Sequence, residues 1–205
     1  NSPVQAIVPN DDGTYSIQTP SQAIQCRYVV NVAGLHSDTI NTMMGHDDFH
    51  ITPRRGELIV FDKMARSLVN HILMPVSTNI TKGVMICPTI FGNILLGPTA
   101  EDLTDKTATE TTADGLASIQ EKGHAIVPAL LKQEVTSTYA GLRAASEYAD
   151  YQISNYPDEH YLCIGGIRST GLTASMAIAE YALEQLTTSG LNLVPKAEFK
   201  SIMMP

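Results

Sequence analysis

The stretch Gly165-Gly166-Ile167-Arg168-Ser169-Thr170-Gly171-Leu172-Thr173 joins an apolar strand to the last helix of this chain, and its glycines let a backbone approach a ligand closely. The helix it opens holds no Asp or Glu until Glu180, whereas acids ordinarily favour a first turn. A first turn free of carboxylates leaves its amide donors and positive dipole end to an anion or an electron-rich carbonyl. A plain helix capped by Ser169 or Thr170 accounts for the same residues equally well. Neither GxGxxG nor a P-loop spacing occurs here or elsewhere in the sequence.

Arg143, in Ala140-Gly141-Leu142-Arg143, is placed just beyond the end of a strand expected over Val135–Ala140. An arginine there can fork onto a carboxylate with two parallel hydrogen bonds. A surface arginine is the plain alternative. Pro53-Arg54-Arg55-Gly56-Glu57 reads as a second basic turn, feeding a strand over Glu57–Phe61. Other chemistry-bearing residues lack organisation. His46-Asp47-Asp48-Phe49-His50 has metal-ligand types but no helical face to gather them, so a solvated acidic loop is expected and no metal site. Asn79-Ile80-Thr81 fits a glycosylation acceptor. No nucleophile–histidine–acid arrangement can be singled out, and the catalytic residue stays unassigned.

The elements that must position these groups are mostly strands. Val4–Val8 and Tyr15–Thr19 flank Asn10-Asp11-Asp12-Gly13, a strong hairpin signal. A further extended run covers Ala23–Val32, and its end, Tyr28 to Gly34, is apolar on both faces, as in a buried parallel strand. It gives way to a short helix over Ser37–Met44, the geometry of a ligand-facing βα turn. Short strands are expected at Ile72–Val76, Val84–Cys87, Asn93–Leu96 and Tyr161–Ile164, with a tight turn at Phe91-Gly92-Asn93. Thr99–Thr111 is polar and reads as a solvated loop. Thr112–Val127 carries a helical stripe ended by Pro128, and Leu172, Met176, Ala179, Leu183 and Leu186 form another over Gly171–Leu186. The fold class is α+β, mostly antiparallel.

Composition bounds the function classes. The 205 residues carry 13 Lys+Arg against 21 Asp+Glu, a formal charge of -8, which argues against a nucleic-acid partner. Mean hydropathy is -0.01 and no apolar run approaches a bilayer span, as expected of a soluble protein. Cys26, Cys87 and Cys163 are far apart with no CxxC, pointing to a reducing, cytosolic compartment with free thiols. Asn1 reads as a cut point inside a longer chain.

Taken in order, Val30-Asn31-Val32-Ala33-Gly34-Leu35-His36-Ser37-Asp38, Pro53-Arg54-Arg55-Gly56-Glu57, Gly97-Pro98-Thr99-Ala100 with Asp102, Tyr139-Ala140-Gly141-Leu142-Arg143 and Gly166-Ile167-Arg168-Ser169-Thr170-Gly171-Leu172-Thr173 resemble the flavoprotein family of D-amino-acid oxidase and glycerol-3-phosphate dehydrogenase. The likeness is greatest to the branch of L-2-hydroxyglutarate oxidase and its glycerol-3-phosphate dehydrogenase-like relatives. It runs from about residue 4 to residue 188.

The resemblance implies FAD and oxidation of a C–H bond beside a hydroxyl or amine, by hydride transfer to the flavin. It places Ala33 and Gly34 by the dinucleotide half of the cofactor. Gly166, Ile167, Arg168, Gly171, Leu172 and Thr173 would meet the flavin pyrimidine edge, and Arg143 would hold a substrate carboxylate. The family's amino-terminal βαβ unit with its GxGxxG is missing from these residues, and Ala144 replaces the proline usual after the arginine. The expected organisation is therefore an α+β carboxy-terminal portion. Residues 1–50 would end an FAD-binding domain, 51–160 would form the substrate domain, 161–190 would return the flavin loop and helix, and 191–205 would be a tail.

The expected function is oxidation of a small 2-hydroxy acid, or of glycerol 3-phosphate; a non-catalytic α+β interaction module is the alternative. The expected partners are a small anionic substrate and the missing amino-terminal half, without which this portion would not keep FAD. Apolar faces left open by that half would favour self-association. The location expected is cytoplasmic, or peripheral to the inner face of the membrane.

Overall fold

A computed structural model describes residues 2–76 and 83–199; the Asn79-Ile80-Thr81 motif lies outside the described residues. In chain order the elements are β1 (Ala6–Pro9), β2 (Tyr15–Gln18), β3 (Ala23–Cys26), β4 (Val29–Asn31), α1 (Ser37–Met43), β5 (Ile51–Phe61), β6 (Met85–Pro88), β7 (Ile94–Gly97), β8 (Glu101–Asp102), α2 (Ala113–Ile126), β9 (Val135–Ser146), β10 (Gln152–Tyr156), β11 (Tyr161–Gly165) and α3 (Gly171–Thr188). They form an α+β fold, mostly antiparallel with few helices.

They fall into two compact units. The first comprises Asn1–Asp48, Tyr151–Gly165 and Thr170–Pro205; the second comprises Phe49–Asp150 and Gly166–Ser169. The sequence boundary at residue 160 thus moves to 150, because β10 pairs along its whole length with β11. The loop expected at the flavin is also divided, since Gly166–Ser169 cluster with the second unit.

In the first unit β1, β2 and β3 make an antiparallel sheet, and a second sheet runs β10-β11-β4. β4 and β11 are parallel, with Asn31 beside Cys163. The extended run expected over Ala23–Val32 breaks at Arg27-Tyr28, so that its two halves serve different sheets. β4 is buried on one side only: Val29 and Asn31 are covered, while Val30 and Val32 are exposed.

The second unit is built around β5, which pairs with β9 on one edge and with β7 and then β8 on the other. Ile59, Phe61, Ile86, Ile94, Leu96, Ile119 and Leu130 close its core beneath α2. Thr112 caps α2 through Gly115 N–H, as its place before the apolar stripe implies. Four expectations change here. Pro53-Arg54-Arg55-Gly56-Glu57 is not a turn but the middle of β5. Arg143 lies within β9 and not past its end, and Thr99–Thr111 includes β8, paired on Arg54 and Arg55. Ile72–Val76 forms no strand, only a single bridge from Leu73 to Ile86.

Candidate functional site

Directly opposed residues of antiparallel strands share a face, so the register of β5 and β9 fixes what faces outward together. Arg54 opposes Arg143, Gly56 opposes Gly141, and Leu58 opposes Tyr139. Asp102 opposes Arg54 from the other edge. Asp102, Arg54 and Arg143 therefore form a row across three strands. Beyond it lies a floor of two glycines, and nothing stands within 4 Å of where a side chain on Gly141 would begin.

Arg143 is half-buried and leans over Gly56, where Nη2 donates to the Thr99 carbonyl at 2.5 Å. Among the described residues no carboxylate reaches it within 4 Å. Burial first, and then the Arg54 charge, push its guanidinium below the ordinary arginine value, with Asp102 opposing. A cation held this way has an unmet need for an anion. Arg54, by contrast, is matched: its Nε and Nη2 meet Asp102 at 2.5 and 2.8 Å.

The segment carrying Thr99 and Asp102 is gripped from the opposite, inner face of β5. Arg55 Nη2 donates to Glu101 at 2.6 Å, and Nη1 reaches Glu110 at 3.3 Å. Glu57, fully buried, accepts from the Thr112 amide at 2.5 Å and from the hydroxyls of Thr112 and Thr99 at 3.0 and 3.3 Å. The Glu57 amide in turn donates to Thr99 Oγ1 at 2.9 Å. Thr99 is thus fixed on both sides of the backbone, and its carbonyl aims Arg143.

Gly56 makes room for that aim. A Cβ there would meet Arg143 Nη2 at 2.6 Å and Pro98 Cβ at 3.3 Å. The guanidinium is the mobile end of a long side chain and yields first. Gly56→Ala is expected to weaken binding of a small carboxylate by about three- to tenfold, the worth of one hydrogen bond. Thermal unfolding should shift by only a few degrees. Unchanged carboxylate affinity in a calorimetric titration would show that Arg143 is not held over Gly56.

The first unit places Ala33 and Gly34 just after β4, beside the carboxyl end of the parallel strand β11. The carboxyl ends of adjacent parallel strands are where open α/β sheets bind ligands. Asn31 orders this turn: Oδ1 accepts from Ala33 N–H at 3.2 Å, while Nδ2 donates to the Ser37 carbonyl and the Tyr161 hydroxyl. Gly34 has φ +57°, with open space where a Cβ would stand, so the turn presents backbone outward. Burial holds the Tyr161 hydroxyl well above its ordinary value and pushes the Cys163 thiol up. Cys26, Cys87 and Cys163 are all free.

Gly171, Leu172 and Thr173 open α3 in the same unit. No acid stands in its first turn, and Thr170, at φ +62°, supplies no side-chain cap to the helix. Thr170 therefore does not act through its side chain as the plain N-cap that was one alternative. Gly166, Ile167 and Arg168 belong to the second unit, where Arg168 Nη2 donates to the Ala149 carbonyl. Along α3 Leu172 is 92% exposed, Met176 74% and Leu183 49%; Leu186 is its one buried residue among those described. An apolar stripe so open calls for a covering surface.

His46 and Asp48 have other partners than a metal. His46 stacks on Tyr156 and meets Glu159 at 2.9 Å, and Asp48 accepts a short hydrogen bond from the Tyr156 hydroxyl. Burial and that bond push Tyr156 up to about 12. No group of three or more metal-ligating side chains occurs among the described residues. Nor, among them, is any helix long and apolar enough to cross a membrane.

Residues 1–185 match the family described as FAD dependent oxidoreductase. The chain is 37% identical over 189 residues to a glycerol 3-phosphate dehydrogenase of Caloramator mitchellensis, aligning 92% of this chain with 39% of that protein. It is 38% identical over 85 residues to the mitochondrial L-2-hydroxyglutarate dehydrogenase of Bos taurus, across 40% of this chain and 18% of that one. The dithionite-reduced L-alpha-glycerophosphate oxidase of Mycoplasma pneumoniae, with FAD bound, superposes with a TM-score of 0.84 at 31% identity, covering 96% of this chain and 52% of that structure. The chain thus spans about two-fifths to half the length of the relatives it matches over most of its own.

Proposed function

This chain belongs to the FAD dependent oxidoreductase family, and from that premise we propose that it supplies the substrate-holding and flavin-contacting parts of an enzyme oxidising a small anionic alcohol. The substrate class is a 2-hydroxy acid or glycerol 3-phosphate. The observation that carries this reading is Arg143: half-buried, aimed by a backbone carbonyl, and without a carboxylate among the described residues. Its fork holds the substrate anion, over a glycine floor that leaves room for the reacting carbon.

The residues present fit the cofactor. Ala33 and Gly34 offer an open backbone turn for its dinucleotide half. The acid-free start of α3, at Gly171, Leu172 and Thr173, offers amide donors to its electron-rich pyrimidine edge, with Gly166, Ile167 and Arg168 leading into it. When bound, FAD supplies the hydride acceptor. The GxGxxG element that these residues lack belongs, in this reading, to the remaining length of the protein. That part also covers the Leu172–Met176–Leu183 stripe.

The test compares two polypeptides. The 205 residues alone should desalt without a flavin absorption band and bind a hydrophobic dye. The same residues joined to an amino-terminal GxGxxG unit should stay yellow, and anaerobic glycerol 3-phosphate or L-2-hydroxyglutarate should bleach that flavin. A flavin band kept by the 205 residues alone, or a bound flavin that neither substrate reduces, would overturn the reading.

A further inference from the structure

We propose that Arg54 is a specificity-determining residue that takes the second negative charge of a dianionic substrate, with Asp102 occupying its fork until the substrate arrives. The inference rests on Arg143 being the anion anchor. It adds a second charge to what that anchor binds.

The placement is unusual for a strand pair. Like charges directly opposed across antiparallel strands repel, yet Arg54 and Arg143 are direct partners on one outward face. Among the described residues one carboxylate serves the row, and it is paired with Arg54. Asp102 therefore leaves one net positive charge there, felt at Arg143 as a contribution that disfavours its charged form. A monoanion on Arg143 cancels that charge; a dianion engages both guanidiniums when the Asp102 carboxylate, 51% exposed, turns out of the Arg54 fork into solvent.

The neighbouring arginine shows what a structural pair looks like in the same strand. Arg55 points inward with its side chain 6% exposed, divided between Glu101 and Glu110. Arg54 faces outward with its side chain 33% exposed, and Asp102 is 51% exposed. A pair this open is reachable by solvent and by a competing anion, which the inward Arg55 pairs are not. It is also made by the Nε–Nη2 edge, the edge that a phosphate or a second carboxylate would use. Arg143 is engaged only through Nη2 among the described residues, so both guanidiniums keep donors toward the same side of the sheet. Directly opposed residues stand about 4.5–5.5 Å apart at Cβ, within reach of one phosphate or of the two ends of a short dicarboxylate.

Asp102 makes the idea separable from a merely structural role, because the two partners should then act in opposite directions. The experiment uses the flavin-loaded, longer protein and titrates inorganic phosphate at a pH where it is dianionic, malonate, and acetate, by calorimetry without turnover. Arg54→Gln should weaken phosphate or malonate by about tenfold or more and acetate by less than about twofold, the worth of one charge-assisted pair. Arg54→Lys should fall between, keeping the charge without the fork. Asp102→Asn should tighten the dianion. Phosphate affected more than malonate points to a phosphomonoester, and the reverse points to a dicarboxylate. Equal weakening of dianion and acetate by Arg54→Gln, or a looser dianion in Asp102→Asn, overturns the proposal. So does a wild-type protein that binds acetate as well as the dianions. Retention of the expected pattern in a protein whose flavin no such substrate reduces would refute the oxidation reading and leave the Arg54 assignment standing.

Discussion

Arg143→Ala in the flavin-loaded protein is expected to weaken substrate binding by about 1.5–3 kcal/mol, one to two decades in apparent affinity. The loss arises because the fork that would pair with the substrate anion has no substitute: no other arginine is aimed from β9 by the Thr99 carbonyl, and Arg54 serves the substrate's other charge. Arg143→Lys keeps the charge but not the two parallel donors, and the Thr99 carbonyl can then hold only a rotating ammonium, so a smaller but clear loss follows. Flavin content should stay at the wild-type level, which separates this residue from those assigned to the cofactor. If the anion is gripped alike in ground and transition states, KM alone rises; if the grip also aims the reacting C–H bond, kcat falls with it. Folding stability should hardly change, because a half-buried guanidinium beside a second cation does little for the native state. Wild-type kcat/KM at full flavin loading would remove Arg143 from the site.

The residues that carry this argument were unevenly legible in the sequence. The Arg143 motif, the α3 stripe and the parallel strand before Gly34 could be found because each is local: a spacing, a period, an apolar run ending in glycine. The lengths of β5 and β9 could not. Pro53, Gly56 and Gly141 carry turn chemistry, and Arg54, Arg55 and Glu57 interrupt any alternation of apolar with polar residues. The strand persists because the groups that satisfy Arg55 and Glu57 arrive from Glu101, Glu110, Thr99 and Thr112, more than forty residues on. β10 was missed for a related reason: Gln152-Ile153-Ser154-Asn155-Tyr156 has little intrinsic pattern and is held by its ladder to β11. Arg54 is inconspicuous among neighbours that carry turn chemistry. The signal was there, since successive strand residues point to opposite faces, and of two adjacent arginines one must face outward.

Glu57→Ala is expected to destabilise the second unit by about 3–5 kcal/mol, from a buried amide and two hydroxyls left unsatisfied at about 1–3 kcal/mol each, with partial relaxation. Glu57 has no exposed surface, and its carboxylate does three jobs at once. It accepts the Thr112 amide at the start of α2, where the helix dipole favours a negative charge. It binds the hydroxyls of Thr112 and Thr99, drawing both ends of the 99–112 segment to one point. It also fills the space above Gly115 so closely that a Cβ there would stand 1.6 Å from Oε2. Alanine would leave the amide and two hydroxyls in a void, and at about 2–4 °C per kcal/mol for a chain of this size the melting point should fall by roughly 6–20 °C. Glu57→Gln keeps the shape but turns one acceptor into a donor facing donors, so a smaller loss of about 1–3 kcal/mol is expected. The functional consequence is separate from the stability. Loosening Thr99 frees the carbonyl that aims Arg143, so Glu57→Gln, assayed well below its melting point, should raise KM for the anionic substrate while the flavin spectrum stays unchanged. Urea unfolding measures the first effect and steady-state kinetics the second. A Glu57→Ala protein within about 1 kcal/mol of wild type would mean that Thr112 and Thr99 find other partners, and that the carboxylate is not what ties this segment to β5.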